Sequence, residues 1–317
     1  MSRLYVVVPC YNEEAALPYF IPEIRKISKQ LFKDYELILE TLFVDDGSTD
    51  RTLEILRSSA KENLHVHYIS FSRNFGKESA IYAGLSRAAN EGADYAVIMD
   101  ADLQHPPSLL PQMYEALASG KYDSAAACRT DRRGESALGN FFAHTFYKLI
   151  NRFSDADIVD GGTDFRMMSR KVLNAVLSMG EYNRFTKGIF GWVGFRTRWI
   201  PYKNVQRVAG ETKWSFWKLF KYAMQGIIAF STAPLLLASW LGILLCAFAF
   251  VMIAVVVIKT LLWGDPVGGW PSMACITIFI GGMQLLCIGI LGQYLSKTYL
   301  ETKHRPIYIE SEREIRQ

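Results

Sequence analysis

Tyr95-Ala-Val-Ile-Met-Asp-Ala-Asp-Leu-Gln-His-Pro-Pro107 decides the reading of this chain: an apolar run, then two carboxylates two positions apart, then a proline pair. A short apolar run bounded by turn residues has the pattern of a strand buried on both faces. Asp100 and Asp102, just past its end, can together grip a hard divalent cation and the phosphate oxygens it binds, with Gln104 as a third oxygen ligand. A DxD string in a solvated loop would do none of this. Here the strand before it and His105-Pro106-Pro107 after it point to a metal site.

The alternation continues on both sides of that stretch. Strands are expected at Leu4–Val8, Glu36–Val44, His65–Phe71, Tyr95–Met99 and Ser124–Cys128, and helices at Glu14–Leu31, Thr49–Asn63, Glu78–Asn90 and Ser108–Ser119. This is the pattern of an α/β domain with a mostly parallel sheet covered by helices, in which ligands bind beyond the carboxyl ends of the strands. Polar residues stand at each of those ends: Asn12 and Glu13, Asp45 and Asp46, Arg73 and Asn74, Asp100 and Asp102. Four loops are therefore expected to converge on one site.

Phe43-Val-Asp-Asp-Gly-Ser-Thr-Asp50 ends a strand and opens a helix. Ser48, Thr49 or Asp50 can cap that helix, while Asp45 and Asp46 can accept hydrogen bonds from the base and ribose of a nucleotide. No Gly-x-Gly-x-x-Gly follows the first strand, which disfavours a dinucleotide fold, and Gly76-Lys77 lacks the rest of a phosphate loop. Phosphates are left to metal and side chains. Beyond Cys128 the pattern loosens into a basic loop at Arg129–Arg133, a helix at Leu138–Arg152 and a turn at Gly161-Gly162. His105 and His144 read as ordinary structural residues.

Half of the 317 residues are hydrophobic, and the excess lies after Tyr222. Ala223–Ile258 and Val267–Ser296 contain no Asp, Glu, Lys or Arg, and each exceeds the roughly 20 apolar residues that cross a bilayer. Residues 215–230 place Phe216, Trp217, Leu219, Phe220, Met224 and Ile227 at helical spacing with Lys218 and Lys221 on another face, the pattern of an interfacial helix. The outer flanks carry Lys213, Lys218, Lys221, Lys297, Lys303 and Arg305, whereas the connection Trp263–Ser272 has Asp265 alone, and Lys259 near the far end weakens this bias without reversing it, so both termini are expected in the cytoplasm. The division expected is a catalytic domain over 1–214, the interfacial helix over 215–230, a membrane hairpin over 231–296 and a tail over 297–317. A net charge of +4 gives no support to nucleic-acid binding. Five cysteines without metal-like spacing read as reduced packing residues. Leu4–Val8, stopped by Pro9, is too short for a secretory signal.

Val8-Pro-Cys-Tyr-Asn-Glu-Glu14, Val44-Asp-Asp-Gly-Ser-Thr-Asp50, Arg73-Asn-Phe-Gly-Lys77, Asp100-Ala-Asp-Leu-Gln104, Thr163-Asp-Phe-Arg166 and Arg207-Val-Ala-Gly-Glu-Thr-Lys-Trp-Ser215 occur in that order. Together they resemble the family 2 inverting glycosyltransferases, and within them the polyisoprenyl-phosphate (bactoprenol) glycosyltransferases and their dolichol-phosphate mannose synthase relatives. The resemblance implies a nucleotide-diphospho-sugar transferase domain of the GT-A type. It implies that Pro9, Tyr11, Glu13, Asp45 and Asp46 contact the nucleotide, and that Asp100, Asp102 and Gln104 hold Mg2+ or Mn2+ and the diphosphate. Asp164 is implied beside the reaction centre, with Asp102 as its catalytic companion. Arg207 and Lys213 are implied near the donor phosphates, and Arg129, with Arg132 and Arg133, at the acceptor phosphate. Glu211-Thr212-Lys213 departs from the Glu-Ser-Lys of many relatives but keeps a hydroxyl.

The expected partners are a nucleotide-sugar donor, a polyprenyl phosphate and the bilayer, with a homo-oligomer, a tetramer in relatives, implied by resemblance. UDP-glucose leads as donor on the likeness of Asn183–Gly194 to bactoprenol glucosyltransferases, ahead of UDP-N-acetylglucosamine and GDP-mannose. A lipid phosphate is already anionic, so Asp164 is better cast as an orienting or electrostatic group than as a base. Two rivals stand. A processive polysaccharide synthase would carry Gln-x-x-Arg-Trp, where Arg198-Trp199 is preceded by Phe195 in the glutamine position. A non-catalytic membrane scaffold would have no use for the retained Asp100, Asp102 and Asp164.

Overall fold

Successive residues of an extended strand face opposite sides, so a run of apolar residues needs cover on both. In the computed structural model, which describes residues 1–130, 159, 161–203, 228, 231–263 and 269–314, strand β1 (Arg3–Cys10) meets that demand. Leu4, Val6, Val8 and Cys10 enter one hydrophobic core and Tyr5 and Val7 the other.

Strands β2 (Ile38–Asp45), β3 (Val66–Phe71), β4 (Tyr95–Ile98) and β5 (Ser124–Arg129) fall within a few residues of their expected places. So do helices α1 (Leu17–Tyr35), α2 (Thr52–Glu62), α3 (Lys77–Asn90) and α4 (Leu110–Ala118). The buried residues of α1, Leu17, Phe20, Ile24, Ile27 and Leu31, recur at the three- and four-residue steps of one helical face. With α2 and α4 they cover one side of the sheet, and α3 covers the other. Further along come β6 (Gly162–Ser169), α5 (Arg170–Ser178), α6 (Thr186–Trp192) and β7 (Thr197–Tyr202).

The eight-stranded sheet has the order β7-β5-β6-β4-β1-β2-β3-β8, in which β8 is Glu310–Arg313. The pairs β1–β2, β1–β4, β2–β3 and β5–β7 are parallel. Strand β6 is antiparallel to both β4 and β5. The sequence marks Gly161-Gly162 as a turn, and the chain indeed turns there, with Gly161 at φ +77. It then runs straight into β6, whose Thr-Asp-Phe-Arg start lacks an apolar run and becomes a strand because β4 and β5 offer two open edges.

Helices α7 (Ala233–Trp263) and α8 (Trp270–Thr302) follow. Within them Ala233–Met252 and Ile276–Thr302 are long and apolar enough to cross a membrane, and neither stretch is buried in protein. Leu261 is 80% exposed, Phe250 75% and Leu237 67%, an arrangement water would penalise and hydrocarbon would not. The Tyr294 hydroxyl donates to the Ser231 carbonyl at 2.6 Å, tying the two helices at one end.

After α8 the chain returns to the domain. Strand β8 pairs antiparallel with β3, and Glu312 accepts from Arg57 Nε at 2.8 Å and from the Tyr68 hydroxyl at 2.6 Å. The Glu301 carboxylate also accepts from the backbone amides of Tyr182 and Asn183, and Lys297 Nζ donates to Asn183 Oδ1 at 2.8 Å. The second apolar helix is thus clasped to the domain on both sides of its end. The expected interfacial helix over 215–230 lies outside the described residues, Ile228 excepted.

Candidate active site

The loops after β1 and β2 are laced together by short polar side chains. Asn12, at φ 54, accepts from Thr49 N through Oδ1, while its own amide donates to Ser48 Oγ, both at 2.9 Å. Glu13 N donates to Thr52 Oγ1, and Arg51 N to Glu14 Oε2. None of the three cap candidates is the N-cap, a place taken by Arg51 with no side-chain cap bond; Asp50, just before it, accepts from Thr52 N through Oδ1 at 3.0 Å and from Glu14 N through Oδ2. Pro9 ends up within β1, and Tyr11 and Glu13 in the loop that follows.

Asp45 and Asp46 are both buried and both engaged within the protein. Asp45 accepts from Ser48 N and from Ser70 Oγ at 2.7 Å. Asp46 accepts from Phe75 N at 2.6 Å and Gly76 N at 2.9 Å, pinning the loop after β3. Burial outweighs these two amides, and the Asp46 carboxyl is pushed up to about 6. Gly47 between the two loops has φ +66, and a Cβ there would lie 2.4 Å from the Arg73 carbonyl carbon. Only glycine fits such an approach.

A second knot sits beyond β4. Register pairs Ile98 with Arg166, which carries the residues beyond Ile98 along the Asp164 end of the antiparallel β6. Lys77, at the start of α3, closes the cluster: its Nζ lies 2.7 Å from Asp100 Oδ1, 2.9 Å from Asp100 Oδ2 and 3.4 Å from Asp164 Oδ2. Burial works against ionised Asp164, but Lys187 and Lys77 outweigh it and hold the carboxyl at about 2. Asp100 is likewise held below the ordinary carboxylate range: burial opposes its charge and Lys77 overcomes it. Asp102 Oδ1 accepts from Gln104 N at 3.0 Å, and Leu103 between them adopts φ 56.

Residues 77 and 78 are used in opposite ways. Glu78 accepts from Thr186 N at 3.0 Å and from the Thr186 hydroxyl, joining α3 to α6, and burial raises its carboxyl. His105 is buried and stacked on Phe165 with ring centroids 5.3 Å apart; its Nδ1 has no hydrogen-bond partner among the described residues, and the charges of Asp100, Asp102 and Asp164 act on the ring. Arg129 Nε donates to the Tyr202 hydroxyl at 3.2 Å at the end of β5. Arg132, Arg133, Arg207, Lys213 and His144 lie outside the described residues.

The sheet edge therefore brings together Asp100, Asp102 and Asp164 and adds Lys77, Glu78 and Lys187, which the sequence reading left without roles. Lys77 was within view as the last residue of Arg73-Asn-Phe-Gly-Lys77, but nothing local says that its amine reaches two carboxylates 23 and 87 positions away. Among the described residues no three His, Cys, Asp or Glu side chains are grouped so as to hold a metal ion between them. Asp100 and Asp102 with the Gln104 amide are hard oxygen donors that fit Mg2+ or Mn2+, whose remaining ligands commonly come from water and substrate phosphate.

An α/β sheet of this order has the fold of nucleotide-sugar transferases of the GT-A type. The chain belongs to glycosyl transferase family 2, whose pattern it matches over residues 5–177. It is 40% identical over 307 residues to a prophage bactoprenol glucosyl transferase homolog of Escherichia coli K12, covering 97% of this chain and 98% of that one. It is equally 40% identical over 307 residues to the bactoprenol glucosyl transferase of Shigella phage SfV, covering 97% of each chain. Among solved structures, glucosyl-3-phosphoglycerate synthase of Mycobacterium tuberculosis, in complex with Mn2+, UDP-glucose and phosphoglyceric acid, aligns with a TM-score of 0.47 at 18% identity, over 72% of this chain and 78% of that one.

Proposed function

We propose that this glycosyltransferase moves glucose from UDP-glucose to the phosphate of a polyprenyl phosphate, with inversion at the anomeric carbon. The observation that carries the reading is the Lys77 bridge, which fixes Asp164 beside Asp100 at the carboxyl edge of the sheet. The lipid acceptor is supported by full-length similarity to bactoprenol glucosyl transferases and by two apolar helices, the second of which is clasped to the catalytic domain at its end.

Asp100, Asp102 and Gln104 would hold Mg2+ or Mn2+, and the ion would neutralise charge on the leaving diphosphate. The chain's own residues do the rest. Lys77 holds Asp100 and Asp164 in register, and its charge adds to the field that favours a departing nucleotide. Asp164, ionised far below neutral pH, orients groups at the anomeric carbon. An oxygen of the lipid phosphate forms the new bond as the bond to the β-phosphate oxygen breaks, and that electron pair leaves with UDP. No proton has to be removed from an acceptor that is already an anion, so a carboxylate held near 2 is suited to electrostatic work and poorly suited to general base catalysis. Arg129, Arg132 and Arg133 are assigned to the acceptor phosphate, and Pro9, Tyr11, Glu13, Asp45, Asp46, Arg207 and Lys213 to the donor. In this reading Asp45 and Asp46 shape the nucleotide loops through the amides they hold. The two helices cross the cytoplasmic membrane with the catalytic domain and both termini on the cytoplasmic side.

The test is a panel: purified protein, Mg2+ or Mn2+, polyprenyl phosphate, and labelled UDP-glucose, UDP-N-acetylglucosamine and GDP-mannose. Lipid-linked glucose with the anomeric configuration inverted is expected. Product from another donor would reassign the sugar, and no product from any donor would hand the protein to the scaffold reading. Asp102→Asn should abolish transfer and weaken metal-dependent donor binding, and wild-type turnover in that variant would remove the metal assignment.

A further inference from the structure

Across β4, β6, β5 and β7 the register aligns Ile98, Arg166, Ala126 and Trp199 in one row. The small Ala126 side chain lets the Arg166 guanidinium and the Trp199 indole meet above it, with the guanidinium carbon 5.2 Å from the indole and 4.5 Å from the Phe190 ring. Arg166 is only 7% exposed and forms no ion pair among the described residues. Its NH1 reaches Thr197 Oγ1 at 3.1 Å and Ser124 Oγ at 3.4 Å, and its Nε is buried without a partner. A buried guanidinium bonded to hydroxyls and stacked on rings, with Asp164 acting on it only through space, is costly unless a further anion completes it. Burial draws this one down to about 10.

Arg166 lines a cavity of about 220 Å3 whose other walls include Thr163, Lys187, Phe190, Thr197 and Trp199. Lys187, on α6, donates to the Gly162 carbonyl at 3.4 Å and, together with Lys77, favours the ionised Asp164 carboxylate. The cavity thus adjoins Asp164 on the side of β6 away from β4, while the carboxylates assigned to the donor metal lie on the β4 side. The loop leading into α6 is the one that Glu301 and Lys297 of α8 hold. A cationic pocket beside the reaction centre is built on an element tied to the second apolar helix.

We propose that this Arg166–Lys187 cavity binds a phosphate monoester, the headgroup of the lipid acceptor, and presents it to the anomeric carbon beside Asp164, next to Arg129, whose amide bonds the Gly161 carbonyl adjoining the cavity's Gly162. The inference deepens the function proposed above and rests on it. The guanidinium supplies forked donors to the phosphate and Lys187 a point charge, so charge neutralisation is divided between Lys77 on the donor side and this pair on the acceptor side.

Lys187→Met tests it with polyprenyl phosphate, UDP-glucose and inorganic phosphate as probes. The variant is expected to raise the KM for polyprenyl phosphate at least tenfold and to leave UDP affinity within twofold of wild type. Inorganic phosphate should inhibit wild type competitively against the lipid, and raise its melting temperature without donor or metal. Both effects should shrink in the variant. Arg166→Lys should retain part of the lipid affinity that Arg166→Met loses, and if the latter does not fold, Lys187→Met carries the test alone. An unchanged lipid KM, or an equal loss of UDP affinity, overturns the assignment. Inhibition by phosphate that persists undiminished in Lys187→Met would place the anion elsewhere. Failure of the broader reading looks different, because wild type itself would then transfer no sugar to lipid.

Discussion

Asp46 and Asp164 stand at the same edge of one sheet, both largely withdrawn from water, and their chemistry diverges. Asp46 receives two backbone amides and no cation close enough to overcome burial, so its carboxyl sits near 6. Asp164 has Lys77 in contact and feels the charge of Lys187, and it sits near 2. The first carboxylate organises a loop, and the second carries a fixed charge to the edge where we place the reaction centre. What separates them is which long cationic side chains the fold delivers, since the residue type and its place at a strand end are shared.

The largest effect that can break this contrast lies at Asp164. Asp164→Asn keeps the shape and removes the charge, and turnover should fall roughly 1000-fold, equivalent to about 4 kcal/mol of barrier, with donor affinity retained. Steady-state kinetics alongside UDP binding decide it, and unchanged turnover would reduce the carboxylate to a partner for the lysines.

Next comes the rigidity of the Asp46 side. Gly47→Ala sets a Cβ against the Arg73 backbone at a positive φ, and should cost on the order of 3 kcal/mol of stability. Melting curves against wild type would show it. A variant that melts with wild type would mean these two loops are not locked as described.

The smallest effect is a pH slope, and its sign distinguishes the two carboxylates. An unfolded aspartate titrates near 3.9, so folded Asp46, near 6, retains its proton longer than the unfolded chain does. Its contribution is complete below about pH 4 and is lost as pH rises to about 6, by about 2 kcal/mol. Asp164 is the reverse case: its contribution is present above about pH 4 and lost as pH falls through 2. Wild type should therefore lose stability relative to Asp46→Asn between pH 4 and 6, in denaturation series run on both proteins. Parallel curves would mean that Asp46 is ionised throughout.

Periodicity placed five strands and four helices because each carries its own apolar pattern, and the motif at Asp100 to Gln104 was legible because it directly follows such a strand. The second half was harder to read. Strand β6 begins Gly-Thr-Asp-Phe-Arg, with no apolar run to announce it, and β8 has the polar sequence Glu-Ser-Glu-Arg, held by Arg57 and Tyr68 from far along the chain. Lys187 shows no local sign of its task, because its relation to Asp164 crosses from α6 to β6 through space.

The sequence by itself determined the α/β alternation, the acidic pair beyond the fourth strand and the two long apolar runs, since each is a local pattern with a local physical cause. Only the tertiary structure decided that Lys77 joins Asp100 to Asp164, that Asp46 spends its hydrogen bonds on a neighbouring loop, and that Arg166 lines a cavity with Lys187. Those outcomes depend on which strands become neighbours, and pairing between distant segments is settled by the packing of the whole sheet.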